Sequence, residues 1–240
     1  MLMIARWLVV VMALCTATAG STTGRCPSTE GRWGFGPSHA VVSDEDRVFF
    51  GSGIFLQVAE ISPEAEIEIV GGIELPGIIM DVEIRDAIAY IAASDQGLLL
   101  VDVSDPSSPV VIGRVDTPHT ALRVALVGDI ALVADNDSGL RLVDISDPRV
   151  PRELSSLDLA GATREVAAIG DTAYVWANHQ IKIIDISRPL EPTDIGSFLP
   201  DTIAHDITIN QGLAYIATYY EGLKIFDVGE PREPVSLGEY

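Results

Sequence analysis

Asp81, Arg123, Glu165 and Asp206 recur along the chain at an almost constant step, and Ala40 stands one such step before the first of them. If the chain repeats one structural unit at each step, these side chains come to equivalent places around a common axis. Three carboxylates and a guanidinium gathered in one funnel suit two kinds of chemistry. They can hold a cation that stabilises the fold. Alternatively, Asp81, Glu165 and Asp206 can divide the acid and base roles of a carbohydrate-active hydrolase or lyase, as carboxylates do once their surroundings separate their pKa values. The plainer reading is that a wet channel mouth takes polar residues and Arg123 pairs with its acidic neighbours. The short, uniform loops favour that reading, because a substrate cleft needs unit-specific loops. No residue is assigned a catalytic role on this evidence.

The same face gathers the turns Asp95-Gln96, Asp135-Asn136-Asp137, Asn178-His179 and Tyr219-Tyr220-Glu221. Adjacent aromatics on a turn can anchor a protein or stack on a sugar, so Arg123, His205, Tyr219 and Tyr220 are the candidate binding residues. Asp135-Asn136-Asp137-Ser138-Gly139 has the acidic start of a calcium loop without the later bidentate Glu, and it reads as hairpin chemistry. His39, His119, His179 and His205 have no zinc-motif spacing. There is no phosphate-cradling Gly-rich loop and no Gly-x-Ser-x-Gly elbow. Neither a metal nor a cofactor is expected.

The elements that position these residues come from a phrase met four times: GLLLVDVSDP from Gly97, GLRLVDISDP from Gly139, IKIIDISRP from Ile181 and GLKIFDVGEP from Gly222. Its aspartates, Asp102, Asp144, Asp185 and Asp227, keep the same step as the axial series. A period of roughly 40 residues indicates stacked or radially arrayed units. Within one unit, Arg123–Val127, Ile130–Ala134 and Leu140–Ile145 are apolar, β-branched runs. Gly128-Asp129, Asp135–Gly139 and Ser146-Asp147-Pro148 bound them, and a weaker run follows at Glu153–Leu159. Such runs are four short antiparallel strands, and no helical period is sustained. The recurring Asp accepts a backbone N–H two residues on, and the Pro stops further pairing. These aspartates are turn-formers. Tyr90, Leu132, Tyr174 and Tyr215 share one position of the second strand and are expected to pack blade on blade. A degraded first copy, with Gln57-Val58-Ala59-Glu60 in place of Val-Asp, brings the count to five over residues 38–240. The expected fold is therefore an all-β propeller of about five four-stranded blades, either closed or part of a larger ring.

The repeat resembles the LVIVD-repeat family, whose name is nearly spelled by Leu140–Asp144 and Ile183–Ile186. The resemblance implies a β-propeller of bacterial or archaeal secreted or cell-surface proteins. It brings no shared catalytic motif.

With a formal charge of -20 and only 15 Lys and Arg, no nucleic acid is expected as partner, and anionic lipid is disfavoured. The start of the chain is different. Arg6 precedes the apolar run Trp7–Leu14, and Ala17-Thr18-Ala19 is a small-x-small cleavage site. The run is too short to span a bilayer and fits a secretory signal peptide over residues 1–19. The mature chain would have no transmembrane span and would be secreted, extracellular, surface-bound or periplasmic. Lipid anchoring through Cys15 is the minor alternative. Cleavage would leave Cys26 as a single thiol, within a Gly/Ser/Thr-rich lead-in over 20–37, so packing alone must hold the fold. The expected function is a non-catalytic scaffold that binds a protein or polysaccharide on its loop face, in an oligomeric state the sequence leaves open.

Overall fold

The computed structural model describes residues 38–63, 66–200 and 203–240. The expected signal peptide over residues 1–19 and the expected lead-in over 20–37, with Cys15 and Cys26, lie outside them. Every element is a strand. Blade 1 consists of β1 (Ala40–Asp44), β2 (Arg47–Ser52), β3 (Phe55–Ile61) and β4 (Ile67–Glu74). Blade 2 has β5 (Asp81–Arg85), β6 (Ile88–Ala92), β7 (Leu98–Asp102) and β8 (Val110–Val115). Blade 3 has β9 (Arg123–Val127), β10 (Ile130–Ala134), β11 (Leu140–Asp144) and β12 (Arg152–Leu157). In blade 4 come β13 (Thr163–Ile169), β14 (Thr172–Ala177), β15 (Gln180–Asp185) and β16 (Thr193–Phe198). Blade 5 is β17 (Ala204–Asn210), β18 (Leu213–Thr218), β19 (Leu223–Asp227) and β20 (Val235–Glu239). Each blade is a four-stranded antiparallel meander in chain order. The degraded first copy folds like the rest, because its alternation of apolar residues survives the loss of the Val-Asp wording.

Alternation in a strand sends successive side chains to opposite faces. In blades 2, 3 and 4 one face therefore packs on the preceding blade and the other on the following blade. Tyr90, Leu98 and Leu100 of blade 2 join Ala131, Val133 and Val143 of blade 3 in one apolar cluster. Leu132, Leu140 and Leu142 of blade 3 join Ala173, Val175 and Ile184 of blade 4 in the next. Four such clusters weld blades 1 to 2, 2 to 3, 3 to 4 and 4 to 5. The inner strands pack in the series β1, β5, β9, β13, β17. Among the described residues no apolar cluster joins blade 5 back to blade 1. The second-strand series shows the consequence: Tyr90, Leu132 and Tyr174 are at most 2% exposed, whereas Tyr215, which joins none of the four apolar clusters among the described residues, is only half-buried.

The turn-forming role of the repeated aspartates is visible in detail. Asp102 accepts from the Ser104 N–H at 3.0 Å and its hydroxyl at 2.6 Å, and Asp144 does the same with Ser146. Asp185 accepts from Ser187 N and Asp227 from Gly229 N, each at 2.9 Å. A second recurring joint lies at the outer strand. The residue opposite Val58, Leu100, Leu142, Ile183 and Ile225 is Gly71, Gly113, Ser155, Gly196 and Gly238, just before a register shift in every blade. A Cβ on Gly71 or Gly113 would come within 2.1 or 2.2 Å of the carbonyl oxygen of Pro106 or Pro148 in the next blade's turn. Where blade 3 has Ser155 instead, its hydroxyl donates to the Pro189 carbonyl at 2.5 Å. The outer strands of blades 1, 2 and 3 thus lean on the proline-containing turn of the following blade.

Candidate functional site

The pairing register confirms the equivalence read from the spacing. Ala40, Asp81, Arg123, Glu165 and Asp206 face Gly51, Ala92, Ala134, Trp176 and Ala217, at matching places of the first strand pair. β5, β9, β13 and β17 surround an axial cavity of about 320 Å³ that Asp81, Arg123, Glu165 and Asp206 line, together with Glu83 and Arg85. Ala40 of blade 1 is not in its wall.

The axial side chains reach across blade boundaries. Asp81 is 1% exposed and accepts a hydrogen bond from Val124 N of blade 3 at 3.1 Å. Arg123 Nε donates to Glu165 Oε2 of blade 4 at 2.9 Å, while Nη1 donates to the carbonyls of Leu122 at 2.9 Å and Met80 at 3.4 Å. Arg85 donates to the Gly128 carbonyl of blade 3 and lies over the Tyr90 ring. Two of the three acids considered for catalysis are therefore engaged in holding neighbouring blades. The third, Asp206, stands half-buried in the cavity wall.

The second group lies on the loop face of blade 5. Thr218 closes a tight turn, donating its N–H at 2.8 Å and its hydroxyl at 2.9 Å to the Gly222 carbonyl. Gly222 has φ +76, the left-handed region that glycine enters without Cβ strain. That turn projects Tyr219 and Tyr220, which are 47% and 79% exposed. Tyr219 stacks on His205 with ring centroids 4.6 Å apart and meets Tyr220 at the same separation. Its N–H donates to the carbonyl of Ile203, itself an exposed apolar residue. The structure thus brings His205, Tyr219 and Tyr220 into one surface, with Arg123 apart from them on the axis.

A third group centres on Asp135, which the sequence presents only as hairpin chemistry. Asp135 is fully buried at the junction of blades 2 and 3, where it accepts from the Thr117 hydroxyl at 2.8 Å and from His119 N at 3.1 Å, with Arg141 Nε 3.6 Å away. These partners occupy the oxygens that a calcium-loop reading would need. The available signal is its uniqueness, since the matching positions are Ala93, Ala177 and Thr218.

Four stretches of the chain match the LVIVD repeat, over residues 76–117, 119–158, 160–199 and 202–240. The chain belongs to the LVIVD repeat family. The unmatched blade 1 is the copy whose wording is degraded. No curated protein matches the chain. Among solved structures it is similar to a protein from Lactobacillus plantarum at TM-score 0.71 and 15% identity, over 84% of this chain and 70% of that one. It is also similar to the Cps50 (Swd1) β-propeller domain of Myceliophteria thermophila, at TM-score 0.66 and 14% identity over 85% and 72% of the two chains. The computationally designed protein Ika8 is similar at TM-score 0.61 and 12% identity, over 86% and 76%. At such identities the likeness establishes the propeller fold alone. Among the described residues of this LVIVD-repeat protein, no helix is long and apolar enough to cross a membrane.

Proposed function

We propose that this LVIVD-repeat chain is a non-catalytic scaffold of an exported protein, and that it binds a polysaccharide or protein through the aromatic surface of blade 5. The observation that carries the reading is the His205–Tyr219–Tyr220 stack. Two rings on an exposed turn adjoin a third on β17, with Tyr219 stacked on His205 and tilted against Tyr220, which makes an aromatic surface with hydroxyls at its edge. The axial acids support the non-catalytic part, since Asp81 and Glu165 are tied to neighbouring blades. The signal-peptide pattern of residues 1–19 supports export, and N-terminal sequencing of the secreted protein is expected to begin at Gly20.

The test is the melting temperature of the protein against a panel of oligosaccharides. A ligand of the native state adds about 2.7 kcal/mol at a hundredfold excess over Kd. The shift is expected to vanish in Tyr219→Ala and Tyr220→Ala and to persist in Glu165→Gln. Turnover of a sugar that is lost in Glu165→Gln or Asp206→Asn would replace this reading with the hydrolase. Sugar binding that is indifferent to both tyrosines would remove the aromatic surface from it. If no sugar shifts the melting temperature, the partner is a protein and the same two alanine variants are expected to lose it.

A further inference from the structure

The inner strands of blades 4 and 5 open with one residue too many. Thr163 and Glu165 of β13 face Ala177 and Trp176, and Ala204 and Asp206 of β17 face Thr218 and Ala217, so Arg164 and His205 stand unopposed in a register shift. An extra residue of this kind bends the strand and re-aims its own side chain. The same place before the axial residue is filled by Met80 in blade 2 and Leu122 in blade 3. Blades 4 and 5 thus exchange an apolar side chain for Arg164 and His205 at the loop-face mouth of the axis. β13 and β17 pack against each other, and neighbouring sheets lie about 10 Å apart. Arg164 is therefore one blade away from the ring of His205, on which Tyr219 stacks.

Arg164 is also electrically alone. The chain holds 35 acidic side chains against 15 Lys and Arg. Every other Lys or Arg of the described residues acts on a carboxylate or a carbonyl. Among the described residues the exposed Arg164 side chain has no hydrogen bond, ion pair or ring contact. Acidic and phosphorylated peptide motifs are recognised by clusters of Arg, whereas here one free guanidinium stands beside three aromatic rings. That combination fits a chain of rings with apolar faces and carboxylates at their edges. Beyond about 8 Å the negative field of the rest of the protein is screened at physiological salt, so the local cation decides the match.

We infer that the aromatic surface of blade 5 takes a polysaccharide that contains uronate, with sugar rings lying on Tyr219 and Tyr220 and a carboxylate of the same ligand paired with Arg164 across the junction of blades 4 and 5. The inference rests on the reading of blade 5 as the binding surface and names its ligand class. A guanidinium meets a carboxylate through two parallel N–H···O bonds, a geometry that a neutral sugar does not offer.

The test is calorimetric titration of the protein with galacturonate and hyaluronan oligosaccharides, each compared with its carboxyl methyl ester, which keeps the rings and removes the charge. At least one acid is expected to bind roughly tenfold more tightly than its ester, the worth of one charge-assisted hydrogen bond. Arg164→Gln should bring the acid down to the affinity of the ester and leave the melting temperature of the free protein unchanged, because that side chain holds nothing in the fold. Tyr219→Ala with Tyr220→Ala should weaken acid and ester alike. Equal affinity for acid and ester, a preference that survives Arg164→Gln, or no binding of either acid overturns the inference. If neutral oligosaccharides still bind through the two tyrosines in those cases, the binding surface of blade 5 stands and only its ligand class falls. An acidic peptide that binds where the sugars do not, and loses its affinity in Arg164→Gln, overturns the inference in favour of a protein partner.

Discussion

Breaking the Arg123–Glu165 pair is expected to loosen the joint between blades 3 and 4 rather than to abolish a reaction. The atoms are 2.9 Å apart, and the side chains are 16% and 9% exposed. At that separation the Coulomb attraction is about 6 kcal/mol for an effective dielectric of about 20. Desolvation removes a large part of it, as for other mostly buried pairs. The coupling remaining between the two residues should be about 2 kcal/mol, above the 0–1 kcal/mol typical of surface pairs. Arg123→Met should cost more than Glu165→Gln, about 3 against about 2 kcal/mol, because it also strips the Leu122 and Met80 carbonyls of their donor. The assay is a double-mutant cycle in urea, followed by fluorescence of Trp176, which is 4% exposed and pairs directly with Glu165. For a domain of this size, about 2 kcal/mol corresponds to a fall of about 4–8 °C in Tm. A coupling below about 0.5 kcal/mol would show that the pair is a surface ornament of the channel mouth, and the structural assignment of Glu165 would fall.

Three further outcomes rest on burial, backbone and charge. Leu142→Ala, at a site with no exposure between blades 3 and 4, should cost about 3 kcal/mol, while Leu237→Ala at 56% exposure should cost less than about 0.5 kcal/mol; equal urea midpoints would contradict the interface assignment. Gly139→Ala should destabilise by more than about 2 kcal/mol, because φ is +79 and a Cβ would stand 2.2 Å from the Leu157 carbonyl oxygen; Gly128→Ala, at φ +50 in open space, should cost about 1 kcal/mol, both read by chemical denaturation. The Ser104, Ser146 and Ser187 hydroxyls, and then their N–H groups, hold the carboxyls of Asp102, Asp144 and Asp185 below the usual range. Their contribution is therefore complete above about pH 4 and lost as pH falls through the lowered pKa values, so Ser146→Ala should move acid unfolding to higher pH, and an unchanged midpoint in a circular-dichroism titration would argue against it.

The blade count, the strand order and the axial equivalence are legible in the sequence, because each rests on a period or an alternation that the chain repeats. Asp102, Asp144, Asp185 and Asp227 are readable as turn-formers for the same reason: a residue met at the same bend in every copy has a local role. Tyr215 reads as a packing residue by analogy with Tyr90 and Tyr174, and the structure corrects this. Its burial depends on a following blade, which is a property of closure and not of the repeat. Asp135 reads as loop chemistry because its partners, Thr117 and Arg141, lie on either side of it in the chain and show no shared motif. The outer-strand glycines escape notice because what forbids a side chain at Gly71 or Gly113 is a carbonyl of the next blade, which only the assembled fold brings near. The stacking of His205 on Tyr219 is likewise invisible in the sequence, although the type of each residue marks it as a binding candidate.

The proline-containing turn that receives the outer strand of the blade before it, at Pro106, Pro148 and Pro189, gives the junctions from blade 1 to blade 4 a matched socket and plug. A tandem duplication of one whole repeat, begun at any point in the period, would insert a blade whose faces and turn already suit both neighbours. Growth or loss of blades in a lineage can thus proceed by whole-unit copying, without an intermediate protein that must first repair a mismatched junction. Blades 2 to 5, which hold the repeat most closely, are the interchangeable stock for such copying, and the divergent blade 1 is the specialised end.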